Sequence, residues 1–213
     1  MRRIIHQIWV GEPPPPLVTE WMGEWQGMNP GWRYQLWGED EVRKLGCHQF
    51  KDQFSNPAFF SDHARLEILA REGGIYIDAD FQPLKPLDQL VPMIGSGAFM
   101  GRPTPTARHG ANGFMGSLGD LTYFRRAFLR LLNCPPGFQA GPMFYHDCVG
   151  YEGAKLLAPI ILYPYSRGQR PPAKYGPRSI AVHHWLQSWV PEQRRMAGLL
   201  TPLPGHQQTT QTA

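Results

Sequence analysis

Hydrophobic and polar positions along the chain change period several times, and each change predicts an element. "RRIIHQIWVG" (2–11) is an apolar run closed by Gly11, the pattern of a buried strand. "EPPPPLV" follows as a stiff polyproline-like connector, and "TEWMGEWQ" predicts a short helix capped by Thr19, with Trp21 and Trp25 four apart. In "WRYQLW", Trp32, Tyr34 and Leu36 alternate with Arg33, Gln35 and Trp37, which predicts a second strand. "GEDEVRKLG" predicts a one- to two-turn helix whose acidic residues come first, as the helix dipole prefers.

The clearest helix is "NPAFFSDHARLEILAREGG". Asn56 is its cap, Pro57 its first position, Glu67 and Arg71 an i,i+4 pair, and Gly73–Gly74 its stop. "IYIDAD" predicts a strand, and "FQPLKPLDQL" leads away from it through prolines. Beyond it lie short strand patterns ("GAFMG", "NGFMGS", "ILYPY", "IAVHHW") and one helix, "LTYFRRAFLRLL". Strand–helix–strand alternation over the first 80 residues predicts an open α/β sheet, in which ligands bind at the carboxyl ends of strands.

Composition adds bounds to this picture. The 213 residues, 42% hydrophobic and 12% aromatic, suit one globular domain, placed at 1–204 with a polar tail at 205–213. No apolar run is long enough to span a bilayer, and the N-terminal segment lacks a cleavage signal, so the expected location is cytoplasmic. The net charge of +4 comes from 21 basic residues that form no run; it admits phosphate-bearing ligands, anionic membranes or nucleic acid and selects none. Three cysteines without CxxC spacing predict free thiols rather than a disulfide framework.

Candidate chemistry centres on Asp78 and Asp80. Read as strand residues two apart, they share a face, and two like charges at that spacing repel by about 2–3 kcal/mol at an effective dielectric near 20. A divalent cation is the usual compensation. A phosphatase-type Asp-x-Asp nucleophile also follows a hydrophobic strand, but its signature places Thr or Val where this chain has Gln82. In "SDHAR", Asp62 and Arg65 lie three apart on one helix face, so an acceptor and a fork-shaped donor point together toward the same strand end.

The segments "IIHQIWVG", "NPGWRYQLW", "SDHARLEILAREGGIYIDADF" and "HHWLQSW" together resemble the DXD-motif sugar transferase family. Its relatives include initiation-type α-1,6-mannosyltransferases, α-1,4-galactosyltransferases and capsular polysaccharide enzymes, and more distantly the glucosylating clostridial toxins. The resemblance covers residues 4–86 and, locally, 180–189. It implies a GT-A type fold, a Rossmann-like mixed sheet flanked by helices, and transfer of a hexose from a nucleotide sugar with retention of configuration. By the same resemblance Asp80 ligates Mn²⁺ or Mg²⁺, and Asp78 meets the ribose, the donor sugar or, through water, the metal. Asp62 and Arg65 hold donor-sugar hydroxyls, Trp9 stacks on the base, and Ser188 and Trp189 close over the diphosphate. His184 completes the metal shell and His183 lies on the acceptor side with Asn112, although which histidine meets the metal stays open. "QAGPMFYHD" resembles a Gly-Pro turn of the family, with Ala140 where Thr is frequent.

The expected donor is UDP-hexose in preference to GDP-mannose, and the expected acceptor a saccharide or lipid-linked saccharide. Two alternatives stand beside this: a phage-type enzyme glycosylating hydroxymethylated DNA bases or a protein, and a catalytically silent sugar- or nucleotide-binding module. No carboxylate is marked as a nucleophile, Asp120 and Asp147 being the candidates; front-face transfer needs none.

Overall fold

The computed structural model describes residues 1–54, 57–135 and 140–186. Strand β1 (Ile4–Ile8) leads through the prolines into helix α1 (Pro16–Met28), strand β2 (Arg33–Trp37), a single turn α2 (Glu39–Val42) and a 3₁₀ segment (Gly46–Gln53). Helix α3 (Pro57–Glu72) turns into β3 (Gly74–Ile77) and β4 (Phe81–Pro83), followed by short α4 (Val91–Ile94) and strands β5 (Ala98–Gly101) and β6 (Ala111–Ser117). Then come α5 (Thr122–Leu132), α6 (Pro142–Phe144), a π turn (Tyr145–Val149), β7 (Ala154–Leu157), α7 (Pro159–Leu162) and β8 (Ala181–His183). Among the described residues no helix is long and apolar enough to cross a membrane.

Six strands form one mixed sheet in the order β2-β1-β3-β6-β5-β7, while β4 and β8 pair separately as an antiparallel ribbon. β1 runs parallel to β2 and β3; β6 runs antiparallel to β3, matching Ile77 with Phe114 and Gly74 with Ser117. The start of β6 therefore lies at the carboxyl end of β3, and this reversal brings Asn112 to the end of the DXD strand. β3 is buried on both faces, as its unbroken apolar run requires. Ile75 and Ile77 pack into a core with Trp25, Phe81, Phe99 and Phe114, whereas Tyr76 faces the core built by α3 and α5.

Several elements differ from the expectation, each for a local reason. α1 starts at Pro16, whose fixed φ suits the first helical position, so Thr19 lies inside the helix and its hydroxyl donates to the Pro15 carbonyl at 3.3 Å. "ILYPY" is not a strand: Ile161 and Leu162 end the α7 turn that Pro159 opens. β7 emerges from "AKLL", too short to show a period. "FQP" is strand because β8 supplies its partner from a hundred residues downstream. Pro57 begins α3 as anticipated; Asn56, and the boundary proposed at 204/205, lie outside the described residues. Glu67 pairs with Arg71 and also accepts from the Gly46 and Cys47 backbone N–H groups at 2.7 and 2.9 Å, so one buried carboxylate caps the 3₁₀ segment too.

The α3–β3 turn is built from Gly73 (φ +68°) and Gly74 (φ +81°), a left-handed pair that side chains disfavour. A Cβ at Gly74 would stand 2.7 Å from the Ile4 carbonyl oxygen. Fully buried His6 secures this turn. Its Nε2 lies 2.9 Å from the Gly73 carbonyl, and its Nδ1 accepts from the Trp37 indole N–H at 3.1 Å. A carbonyl only accepts and an indole only donates, which fixes the neutral Nε2–H tautomer. Burial accordingly holds the imidazole pKa down at about 4. The unfolded chain takes up this proton near pH 6.5 and the folded one near 4, so stability falls as pH drops through that window. About 3 kcal/mol should be lost between pH 7 and pH 4 through this residue. Urea midpoints at the two pH values, compared between the wild type and His6→Gln, check it; an equal acid loss in both proteins would refute the assignment.

Candidate active site

The site grows from the carboxyl end of β3. Tyr76 and Asp78 share a face of the chain there, and the Tyr76 hydroxyl donates to Asp78 Oδ1 at 2.8 Å. The Asp78 N–H continues the ladder to the Gly113 carbonyl at 2.7 Å, and its carbonyl accepts from Gln7 Nε2 at 3.4 Å. The strand has ended by then. A turn closed by Phe81 N–H on the Asp78 carbonyl carries Asp80 off the sheet, so the two acids are set by a strand end and a turn, not by strand alternation. Gly113 faces Asp78 without a side chain; a Cβ there would lie 2.5 Å from Asp78 Oδ2.

On one side of Asp78, α3 presents Asp62 and Arg65. The buried guanidinium lies 3.2 Å from both Asp62 and Asp78, donates to the carbonyls of Ser61 and Asn112, and covers the Tyr76 ring at 4.6 Å. Asn112 Nδ2 donates to Asp62 Oδ1 at 2.7 Å, so the amide is committed to this network. On the other side, Asp80 Oδ1 lies 2.9 Å from His183 Nε2, Asp80 Oδ2 accepts from Leu186 N–H at 3.0 Å, and the Asp80 carbonyl accepts from His184 N–H. Trp185 between them adopts φ +56°, a strained state for a bulky residue. It is held by ring contacts with His183 at 4.0 Å and Tyr163 at 5.7 Å.

Ligand atoms of Asp78, Asp80 and His183 all lie within 4.8 Å of one another. Of the two candidate histidines, the structure brings His183 to the carboxylates and turns His184 away. The His184 ring stacks on Trp21 at 4.5 Å, with its nitrogens 3.0 Å from Gln82 Oε1 and 3.3 Å from the Tyr165 hydroxyl. His183 ends β8 and His184 follows it, and the two neighbouring rings point to different partners. Burial lowers the His184 pKa to about 4, which keeps it neutral. His183 stacks on Phe81 and keeps a buried Nδ1 with no hydrogen-bond partner among the described residues.

The electrostatics are unbalanced: three carboxylates meet one guanidinium. Burial raises the Asp62 carboxyl to about 6 even though Arg65 pulls it down. Burial also raises Asp78, with Arg65 opposing and Asp80 adding to the rise. For Asp80 burial works upward as well, but His183 and the Leu186 N–H outweigh it and hold the carboxyl below its ordinary range. Two carboxylates and an imidazole, with excess negative charge behind them, make a donor set that fits a divalent cation.

Trp9 follows β1 at the same end of the sheet, half-buried against the cluster that contains Ala79, and its indole donates to the Glu12 carbonyl at 2.7 Å. Ser188 and Trp189 lie outside the described residues. Asp120 sits beyond the far end of β6, where it accepts from Thr122 N–H, and Asp147 is exposed against His146. Gln7, Tyr76 and Leu186 were not anticipated. Gln7 and Tyr76 look like ordinary strand residues, and Leu186 acts through its backbone alone.

Residues 15–95 match the family model described as "Glycosyltransferase sugar-binding region containing DXD motif". The chain is 30% identical over 135 residues to mannosyl phosphorylinositol ceramide synthase SUR1 of Saccharomyces cerevisiae, covering 61% of this chain and 34% of that protein. It is 29% identical over 100 residues to inositol phosphoceramide mannosyltransferase 1 of Schizosaccharomyces pombe, covering 42% and 31%. The matches thus span about a third of the length of these curated relatives. Among solved structures, the PaToxG glycosyltransferase superposes with a TM-score of 0.51 at 17% identity, over 68% of each chain. The fold is of the GT-A type, and residues 15–95 are similar to the DXD-motif sugar-binding region of glycosyltransferases.

Proposed function

We propose that this protein transfers a hexose from a nucleotide sugar to a hydroxyl of a saccharide or lipid-linked saccharide, with retention of configuration and dependence on a divalent metal. The observation that carries the reading is the convergence of Asp78, Asp80 and His183 beside the buried Asp62–Arg65–Asn112 network. Asp78, Asp80 and His183 would hold Mn²⁺, or less readily Mg²⁺ because imidazole is a poor magnesium ligand. A bound metal would supply Lewis-acid stabilisation of charge on the departing diphosphate.

The chain's own residues do the rest. Asp62 keeps an oxygen beyond its contacts with Arg65 and Asn112, and that oxygen faces the Gly141 turn, a place for a sugar hydroxyl. Arg65 fixes the orientation of Asp62 and Asp78 through its ion pairs and carbonyl contacts. Trp9 offers a flat apolar ring for the base. In front-face transfer the leaving phosphate assists deprotonation of the acceptor, consistent with Asp120 lying at the opposite end of the sheet. A glycosyl adduct on the protein in a mass spectrum would overturn that route.

The relatives named above are mannosyltransferases, so GDP-mannose belongs beside the UDP-hexoses in the test; no observation here favours a nucleic-acid acceptor. Purified protein is incubated with UDP- and GDP-hexoses, and release of UDP or GDP is followed. We expect slow release from one donor that requires Mn²⁺ and stops on chelation. In parallel, ligand at about 100 times its Kd should add about 2.7 kcal/mol, a rise in Tm of several degrees. Donor-specific stabilisation without turnover would favour the silent binding module, and neither effect with any donor would refute the proposal.

A further inference from the structure

Four cations, Arg167, Arg170, Lys174 and Arg178, fall within residues 163–180, a stretch containing no Asp or Glu. Elsewhere the remaining 17 basic residues meet 17 acidic ones, so the whole net charge of +4 resides on this loop. The loop leaves α7 at Tyr163 and returns to β8 through Ser179 and Ile180, where Ser179 Oγ donates to the Ile160 carbonyl at 2.8 Å and Ile180 N–H to the Ile161 carbonyl. At its other end the Tyr165 hydroxyl lies 3.3 Å from His184 Nδ1, and its carbonyl accepts from the Trp185 indole. The base of the loop is thus fastened to the same β8 end that supplies His183.

All four cations are exposed, and none has an ion-pair partner among the described residues. Elsewhere Arg3 pairs with Asp88, Arg33 with Glu72, Arg43 with Asp40 and Lys51 with Glu39. Lys44, Arg108 and Arg130 are exposed without an ion pair among the described residues, but no four such cations fall together in sequence as these do. We propose that loop 163–180 docks the protein on an anionic phospholipid bilayer, holding the mouth of the candidate site against that surface. A built pocket for one phosphate would carry a buried, fork-shaped donor, and none of the four side chains is buried. An array of exposed charges fits an extended anionic plane. Ile160, 38% exposed, lies under Gly176 and adds an apolar contact, which a lipid headgroup layer accommodates better than a nucleic-acid backbone.

Each basic residue near an anionic leaflet strengthens binding by roughly fivefold, so the set should contribute several hundred-fold. The test is sedimentation of the purified chain with vesicles of phosphatidylcholine alone or with about 30% phosphatidylserine, a content that gives a strongly negative surface. Wild type should bind the anionic vesicles only and be released at about 0.5 M salt, where screening is nearly complete. Arg167→Gln/Arg170→Gln/Lys174→Gln/Arg178→Gln should lose this binding several hundred-fold while keeping its Tm and its acceptor-free donor release. Equal vesicle binding by wild type and variant would overturn the proposal. So would binding of duplex DNA without vesicle binding, or loss of donor release in a folded variant, which would place the cations at the donor diphosphate.

Discussion

Asp80→Ala should lose metal-dependent donor release by on the order of a thousandfold or more while the sheet stays folded. Asp80 is the junction of the site: one oxygen meets His183, the other the Leu186 N–H, and its neighbour Asp78 completes the candidate metal-ligating group. Alanine removes one of two mutually repelling acids, but it also leaves His183 Nε2 without its carboxylate and orphans a half-buried N–H, which costs about 1–3 kcal/mol. These terms oppose each other, so Tm should move by only a few degrees while turnover collapses. Turnover and Tm measured on one preparation separate the two effects. A folded variant retaining a tenth of wild-type release would exclude Asp80 from the chemistry.

Arg65→Met should be the most damaging single change to stability, and its cost should depend on pH. The guanidinium is the one full cation between Asp62 and Asp78 and is itself buried. Removing one partner of such an arrangement costs about 3–5 kcal/mol, because the acids left behind must stay ionised without compensation or take up protons. With Arg65 present the Asp62 carboxyl already titrates near 6, and without it the value should climb further. An acid whose pKa is raised by folding stabilises below that pKa and loses the contribution as pH rises through it. Arg65→Met should therefore be much less stable than wild type at pH 7.5 and recover part of the loss at pH 5. Arg65→Lys should restore little, since one ammonium cannot reach two carboxylates and two carbonyls together. A pH-independent loss in urea midpoints would show that packing on Tyr76, not charge, is what Arg65 contributes.

Much of this arrangement was legible in the residues. The α3–turn–β3 unit follows from Pro57, the Gly73–Gly74 stop and an apolar run, signals that act within a few residues. The association of Asp62, Arg65 and Asp78 followed from helix and strand spacing alone. What escaped was set by distant partners. "FQP" becomes strand only because β8 reaches it, and Asn112 meets Asp62 only because β6 runs antiparallel to β3. The choice between His183 and His184 depended on how the end of β8 registers against β4, and no local pattern encodes that. Tyr76 lies within an apolar strand run, yet its hydroxyl orients Asp78.

The pairing of β4 with β8 also has a consequence for the order of events as the chain is made. The six-stranded sheet is complete once Leu157 is in place, but Asp80 waits a further hundred-odd positions from its own place in the chain for His183 and Leu186. At translation rates of about 5–20 residues per second, the scaffold exists for a second or more before β8 emerges. During that interval the nascent polypeptide carries a folded sheet with an open acidic end. Closure of the acidic end then arrives as a late, separate event, set by synthesis of β8 rather than by assembly of the core.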